Sequence, residues 1–267
     1  MLRSYDKSME DPAESNLSQA RESPAAHCEG RVAFFGGSFD PPHLGHLAIA
    51  RAARTALDLD RVLFAPVGAQ PLKPKGSTAS FADRLAMTEL AIAGERGFKV
   101  SLADAPRAGG QPNYTLETLS ELRAGLPPQG CLFCLMGADS FASLRQWHRA
   151  AEIPFAASLI VASRPGQELG DLARILPPGL TLESATREDA MLRTLNEEKP
   201  SKNLLLRSFL IRNGAGETAA FYLLPGLDIE ISASDIRAQI HSSSAHPAAG
   251  SLPPAVAAYV HAHSLYR

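Results

Sequence analysis

The chain has 267 residues, a formal net charge of −2, 45% hydrophobic and 20% charged residues. That length supports a substantial core, in one large domain or two small ones. The near-balanced charge leaves no basic footprint for nucleic acid, no window reaches the roughly 18 apolar residues of a membrane-spanning helix, and three cysteines make no disulfide framework.

Residues 1–29 are polar and lack periodicity, so a disordered N-terminal extension is expected there. They carry no apolar core of a secretory signal, and a reducing cytoplasm is the simplest location. From Arg31 onward strands and helices alternate. Val32 to Phe35 is a short run of β-branched and aromatic residues suited to a buried parallel strand. Gly36 and Gly37 end it and let a ligand approach the main chain. Pro41 and Pro42 suit a helix entrance. The helix that follows runs to about Leu57, with His43 and His46 on one face of its start.

Arg61 to Pro66 is the next strand, Gln70 to Ser80 a loop, Phe81 to Ala93 a helix. Phe98 to Leu102 is a short strand and Tyr114 to Arg123 a helix. Cys131 to Met136 is wholly apolar, which places it in a sheet interior. Gly137-Ala-Asp-Ser140 then turns into a helix that reaches Trp147. Ser158 to Ala162 is another buried strand, ended by Arg164-Pro-Gly166. Gln167 to Glu217 has short helix-like pieces and a polar run, Asn196 to Asn203, and reads as a variable insertion with a mobile loop. Ala220 to Leu224 returns to strand, Ile231 to Arg237 opens a helix, and Leu252 to His263 is the last one. The alternation predicts an α/β fold with a doubly wound parallel sheet, in a single domain over residues 30–267.

Two stretches carry chemistry. Arg31 to His46 joins a strand, a glycine turn and a helix N-terminus bearing two imidazoles. Exposed amides and the helix dipole attract anions there, and Ser38, His43 and His46 add donors, which together make a phosphate site. Ile231 to Arg237 has capping-box spacing, Ser232 to Asp235, and sets an arginine one turn into the helix. A planar guanidinium at that place can meet a phosphate. No Walker A pattern occurs, so an ATP site here differs from a P-loop. Cys131-x-x-Cys134 lies in an apolar strand and reads as small buried hydrophobes. Trp147, the single tryptophan, is either a core aromatic or a flat platform for a heteroaromatic ring. Asp139 is either an N-cap or a partner for ribose hydroxyls. Lys73 belongs to a loop that either stays solvated or closes on a phosphate.

On these residues the chain resembles the nucleotidyltransferase superfamily. Its G-G-S-F-D-P-P-H-L-G-H resembles the (H/T)xGH signature. Its Ile231–Arg237 is similar to the partner ISxTxxR motif, with Ser234 where threonine is common. Tyr114-Thr115, Gly137 to Ser140, Trp147, Arg164-Pro-Gly166 and the chain end narrow the resemblance to the nicotinate-mononucleotide adenylyltransferases. It runs from about Arg31 to the C-terminus and is weakest over Gln167 to Glu217. Gln70-Pro-Leu-Lys73 departs from the P-P-H-K or P-P-H-R loop common there, although Lys73 keeps the cation.

The resemblance implies a Rossmann-like nucleotidyltransferase fold with C-terminal helices, and adenylyl transfer from ATP to nicotinate mononucleotide in NAD biosynthesis. It implies Mg²⁺ arriving with ATP and no metal cage in the protein. It implies His43, His46 and Arg237 as catalytic groups. Gly36, Gly37, Ser38, Phe39, Gly137, Asp139, Arg164, Ile231, Ser232 and Ser234 would bind ATP. Lys73, Tyr114, Thr115 and Trp147 would hold the mononucleotide, with Trp147 stacked on the pyridine. The expected partners are these two nucleotides, neither nucleic acid nor membrane, and a homo-oligomer is compatible with the sequence. Nicotinamide mononucleotide or phosphopantetheine as acceptor, and a non-catalytic nucleotide sensor, stay open as alternatives.

Overall fold

The computed structural model describes residues 30–73, 76–163, 172–184, 206–224, 231–242 and 250–267. The apolar runs become β1 (Arg31–Gly37), β2 (Arg61–Pro66), β3 (Phe98–Val100), β4 (Cys131–Gly137), β5 (Ser158–Ala162), β6 (Leu180–Ser184), β7 (Arg207–Asn213) and β8 (Thr218–Leu224). The helices are α1 (Leu44–Ala56), α2 (Phe81–Ile92), α3 (Thr115–Ala124), α4 (Ala138–Ala142), α5 (Ile153–Ala156), α6 (Leu172–Ile175), α7 (Ala233–Ser242) and α8 (Pro254–Ala262).

The strands form one sheet in the order β3-β2-β1-β4-β5-β8-β7-β6. β1 lies between β2 and β4, parallel to both, with Val32 opposite Arg61 on one side and Leu132 on the other. A strand flanked and covered in this way must be apolar on both faces. β4 meets that demand with Leu132 to Met136 all buried. One face of the sheet packs Ala33 and Phe35 with Leu47 of α1, Met87 of α2, Ile236 of α7 and Val256 of α8. The other packs Phe34 and Leu132 with Leu119 of α3, Phe141 of α4 and Ile153 of α5. Helices on both faces make the sheet doubly wound, as the alternation implies.

The expected parallel sheet holds from β3 through β8 and changes at one edge. β7 runs antiparallel to both β8 and β6, so the sheet is mixed at that edge. The region read as a variable insertion therefore extends the sheet over its described residues. Phe209 and Ile211 alternate inward, bury beside Phe221, and pull β7 onto the edge. The flanking polar residues and the Gly214–Gly216 turn hide that alternation in the sequence. The polar run Asn196 to Asn203, the extension 1–29 and Arg164 lie outside the described residues.

The helix expected to reach Trp147 breaks after α4. A 3₁₀ turn, Leu144–Gln146, replaces its last part, and Trp147 ends that turn. Cys134 is buried, and burial pushes its thiol up to about 12, as suits a small hydrophobe. Cys131, at the start of β4, differs in being only half-buried. No helix among the described residues is long and apolar enough to cross a membrane.

Candidate active site

α1 and α2 cover one face of the sheet and α3 and α4 the other, so the winding reverses between β1 and β4. In such sheets the crevice at the carboxyl ends of the two strands is where ligands bind. A cleft of ≈ 700 Å³ opens there. It is lined by Gly36, Gly37, Ser38, Phe39, His43 and His46 from the first motif, and by Ile231, Ser232, Ser234 and Arg237 from the second. Lys73, Tyr114, Thr115, Gly137, Asp139 and Trp147 complete it. Every expected site residue within the described chain reaches this one cleft.

The turn after β1 has little freedom. A Cβ on Gly36 would stand 2.7 Å from the Phe34 ring. Phe39 takes a left-handed φ of 46° while 2% exposed. That strain is held by packing against Phe35, Phe64 and His46, with ring centroids 5.6, 5.6 and 4.9 Å away. His43 is the N-cap of α1 and stands before its first turn; the prolines lie in the loop ahead of it. His46 sits in the first turn, and the two imidazoles stack at 3.7 Å with a 28° tilt. The backbone N–H of His43 donates to His46 Nδ1 at 3.2 Å. An Nδ1 that accepts leaves the ring proton on Nε2. Burial, and then the neighbouring His43, hold His46 well below the ordinary imidazole range. His46 is thus a neutral donor at pH 7.

Arg237 lies one turn into α7. Its Nη1 donates to the Asp40 carbonyl at 2.6 Å and its Nη2 to Ser234 Oγ at 3.3 Å. This contact joins the two motifs across almost the whole chain. Ser232 precedes the helix, and its carbonyl accepts from the Ile236 N–H at 3.0 Å. The Asp40 carboxylate, 5% exposed, accepts from the Thr78 and Ala79 amides and, at 2.8 Å, from the Tyr266 hydroxyl. Lys73 Nζ donates to Ser38 Oγ, which in turn donates to Gln70 Oε1, each at 3.0 Å. Burial and the Arg237 charge lower the Lys73 ammonium from its usual range.

Elsewhere on the cleft wall, Tyr114 is the N-cap of α3 and makes no side-chain cap, so it satisfies none of the first amides of that helix with its side chain. The Tyr114 ring leans on His148 with centroids 4.3 Å apart. Trp147 is half-buried and donates from Nε1 to Ser143 Oγ at 3.2 Å. Its neighbours therefore orient the indole without covering it. Gly137, not Asp139, is the N-cap of α4; Asp139 is exposed in its first turn. A Cβ on Gly137 would meet nothing within 4 Å, so the cleft is open against that backbone.

Several site residues escaped the sequence reading. Asp40 stands inside the quoted motif, yet its role needs Tyr266, Thr78 and Arg237 from three other segments. Arg84 did leave a signal. It shares the α2 stripe of Met87, Thr88 and Ala91, all buried, where a charge is unusual. Asn113 bridges two loops, accepting from the Ala69 amide and donating to the Ala105 carbonyl at 3.0 Å each. As to a resident metal, no three His, Cys, Asp or Glu residues converge among the described residues. The Asp40 carboxylate is already taken by protein donors.

A family model described as cytidylyltransferase-like matches residues 34–239. The "Probable nicotinate-nucleotide adenylyltransferase" of Laribacter hongkongensis is 37% identical over 236 residues, covering 88% of this chain and 94% of the relative. The protein of the same name from Stenotrophomonas maltophilia is 38% identical, covering 88% and 96%. Among solved structures, Plasmodium falciparum nicotinic acid mononucleotide adenylyltransferase complexed with NaAD superposes with a TM-score of 0.59 at 14% identity, covering 89% of this chain and 98% of that one. At that identity the likeness supports the fold alone. The two bacterial relatives, similar over nearly their whole length, carry more. This chain belongs to the nicotinate-nucleotide adenylyltransferase family of cytidylyltransferase-like proteins.

Proposed function

We propose that this protein transfers the adenylyl group of ATP to the 5′-phosphate of nicotinate mononucleotide. A phosphate oxygen of the mononucleotide attacks the α-phosphorus. The bond from that phosphorus to the bridging oxygen of the β-phosphate breaks. Pyrophosphate leaves, and nicotinate adenine dinucleotide remains. The nucleophile is already an anion, so no general base has to take a proton. Catalysis is positioning and stabilisation of charge that moves toward the leaving group.

The observation that carries this reading is the meeting of both motifs in one cleft, which the stacked His43 and His46 line together with Arg237, itself bonded to the Asp40 carbonyl. His46 would present its Nε2–H to a phosphate oxygen as a neutral donor. His43 would act beside it. Arg237 would hold the β- and γ-phosphates, with the Gly36–Phe39 backbone and the hydroxyls of Ser38, Ser232 and Ser234; Lys73, expected from the sequence on the mononucleotide, donates to Ser38 Oγ near Arg237 and would instead join it on these phosphates. Gly137, Asp139 and Ile231 would border the nucleoside of ATP. Trp147 would stack on the pyridine, and the α3 amides at Tyr114 and Thr115 would receive its carboxylate. A divalent ion, which we take as Mg²⁺, would enter as the ATP complex and offset phosphate charge. Residues 30–267 would act as one domain.

One assay tests the reading. Pyrophosphate release is followed with ATP and, in turn, nicotinate mononucleotide, nicotinamide mononucleotide and phosphopantetheine. Release with the first, at a kcat/KM well above the other two, is the expected result. Preference for another acceptor overturns the substrate, and no release with any overturns the enzyme.

A further inference from the structure

Arg84 is 2% exposed, among the largest fully buried side chains of the protein, and no step above uses it. Its Nη1 donates to the Ser38 carbonyl at 2.7 Å and its Nη2 to the Val67 carbonyl at 2.8 Å. Its Nε is also buried and has no hydrogen-bond partner among the described residues. The Phe81 ring lies under the guanidinium, 5.6 Å from its centroid. Burying a cation is costly unless its charge and donors are satisfied. A bonded carboxylate would be the usual answer, but both of these acceptors are neutral carbonyls. The position of those carbonyls explains the choice.

Ser38 belongs to the phosphate turn. Val67 is the last residue before the segment that carries Gln70 and Lys73. Arg84 itself follows that segment, in the first turn of α2. One guanidinium thus ties both feet of the Lys73 loop to each other and to the phosphate turn. The planar fork allows this, because two nitrogens diverge toward two acceptors. It also engages the Ser38 carbonyl, so that oxygen is taken up by the buried guanidinium. The charges nearby are mixed: Lys73 and Arg237 line the cleft with Asp40, Asp104 and Asp139, and Lys73 feels the charges of Arg237, Asp40 and Arg84.

We infer that Arg84 is a positioning residue for ATP: it presets the phosphate turn and anchors the loop that brings Lys73 to the phosphates, without itself touching substrate. This rests on the proposed adenylyl transfer, with ATP as the donor.

The test compares Arg84→Met and Arg84→Lys with the wild type in the full chain. Binding of MgATP alone is measured by calorimetry, and KM for ATP and for nicotinate mononucleotide by pyrophosphate release. Arg84→Met is expected to weaken ATP binding at least tenfold, to raise KM for ATP in step, and to leave KM for the mononucleotide within about threefold. Arg84→Lys restores the charge but not the fork, and should recover only part of the loss. ATP binding within twofold of wild type in a folded Met variant overturns the inference. So does an equal rise in both KM values, which marks a general loss of structure. If the Met variant does not fold, the Lys variant decides by the same split. A wild type that binds MgATP but releases no pyrophosphate refutes the acceptor reading and leaves the binding comparison intact.

Discussion

Replacing His46 with alanine tests the chemistry most directly. The His43 amide holds Nδ1, so the ring is fixed and its only proton sits on Nε2. Alanine removes that donor together with the acceptor of the His43 amide and the ring contacts to His43, Phe35 and Phe39, so the fold of the variant is checked by circular dichroism before kcat is compared. Losing one such donor costs on the order of 10²–10³ in kcat, or about 3–4 kcal/mol. The pH dependence separates a neutral donor from a cation. Burial and His43 keep the imidazole below its usual range, so it stays neutral as pH falls from 8 through 6.5. The mononucleotide phosphate also titrates near pH 6, at its second pKa. The quantity to measure is therefore the ratio of wild-type to His46→Ala kcat at each pH, in which the substrate's own titration cancels. It should be flat from pH 8 to 6.5. A ratio that grows about tenfold per unit as pH falls through 6.5 would show a cationic His46 and refute the reasoning. A variant with near-normal kcat would remove His46 from the mechanism.

The same histidine affects stability. Its unfolded form takes a proton near pH 6.5, whereas the folded form resists it, so stability falls as pH drops below that value. The loss deepens as pH falls further below 6.5, read as a shrinking advantage of wild type over His46→Gln in urea unfolding. Tyr266→Phe deletes one hydroxyl bonded to the buried Asp40 carboxylate. A hydrogen bond to a charged group contributes about 1.5–3 kcal/mol, so calorimetric Tm should fall by about 4–10 °C. An unchanged Tm would mean that the tyrosine does not hold Asp40. Trp147→Ala should raise KM for the mononucleotide about tenfold, the scale of one lost aromatic stack, with a much smaller change for ATP. Equal changes for both substrates would assign the indole to the core.

The first motif was legible because its parts are local. A strand, a two-glycine turn and a helix start follow one another within Arg31 to His46, and each obeys short-range rules. The ends of β2 and α2 were read closely for the same reason. The antiparallel edge was not, because β7 is held there by Phe209 and Ile211 meeting Phe221 of another strand. The helix expected through Trp147 failed in the opposite way. Its composition allows a helix, but the chain tightens into a 3₁₀ turn after α4. The capping choice for Asp139 also went to a neighbour, Gly137.

The sequence by itself determined the order of the six parallel strands and of the main helices between them, the phosphate turn, the arginine of the second motif and the residues that resemble an acceptor pocket. These depend on periodicity, on turn chemistry and on spacing within a few residues. Tertiary structure decided what those pieces do together. It brought Arg237 to the Asp40 carbonyl, fixed His46 as a neutral Nε2 donor through a backbone amide, and placed Tyr266 on the Asp40 carboxylate. It also put Arg84 under the phosphate turn, a buried cation whose two acceptors lie in loops after different strands. Hydrogen bonds between segments this far apart depend on sheet order and packing, and spacing along the chain carries no record of them.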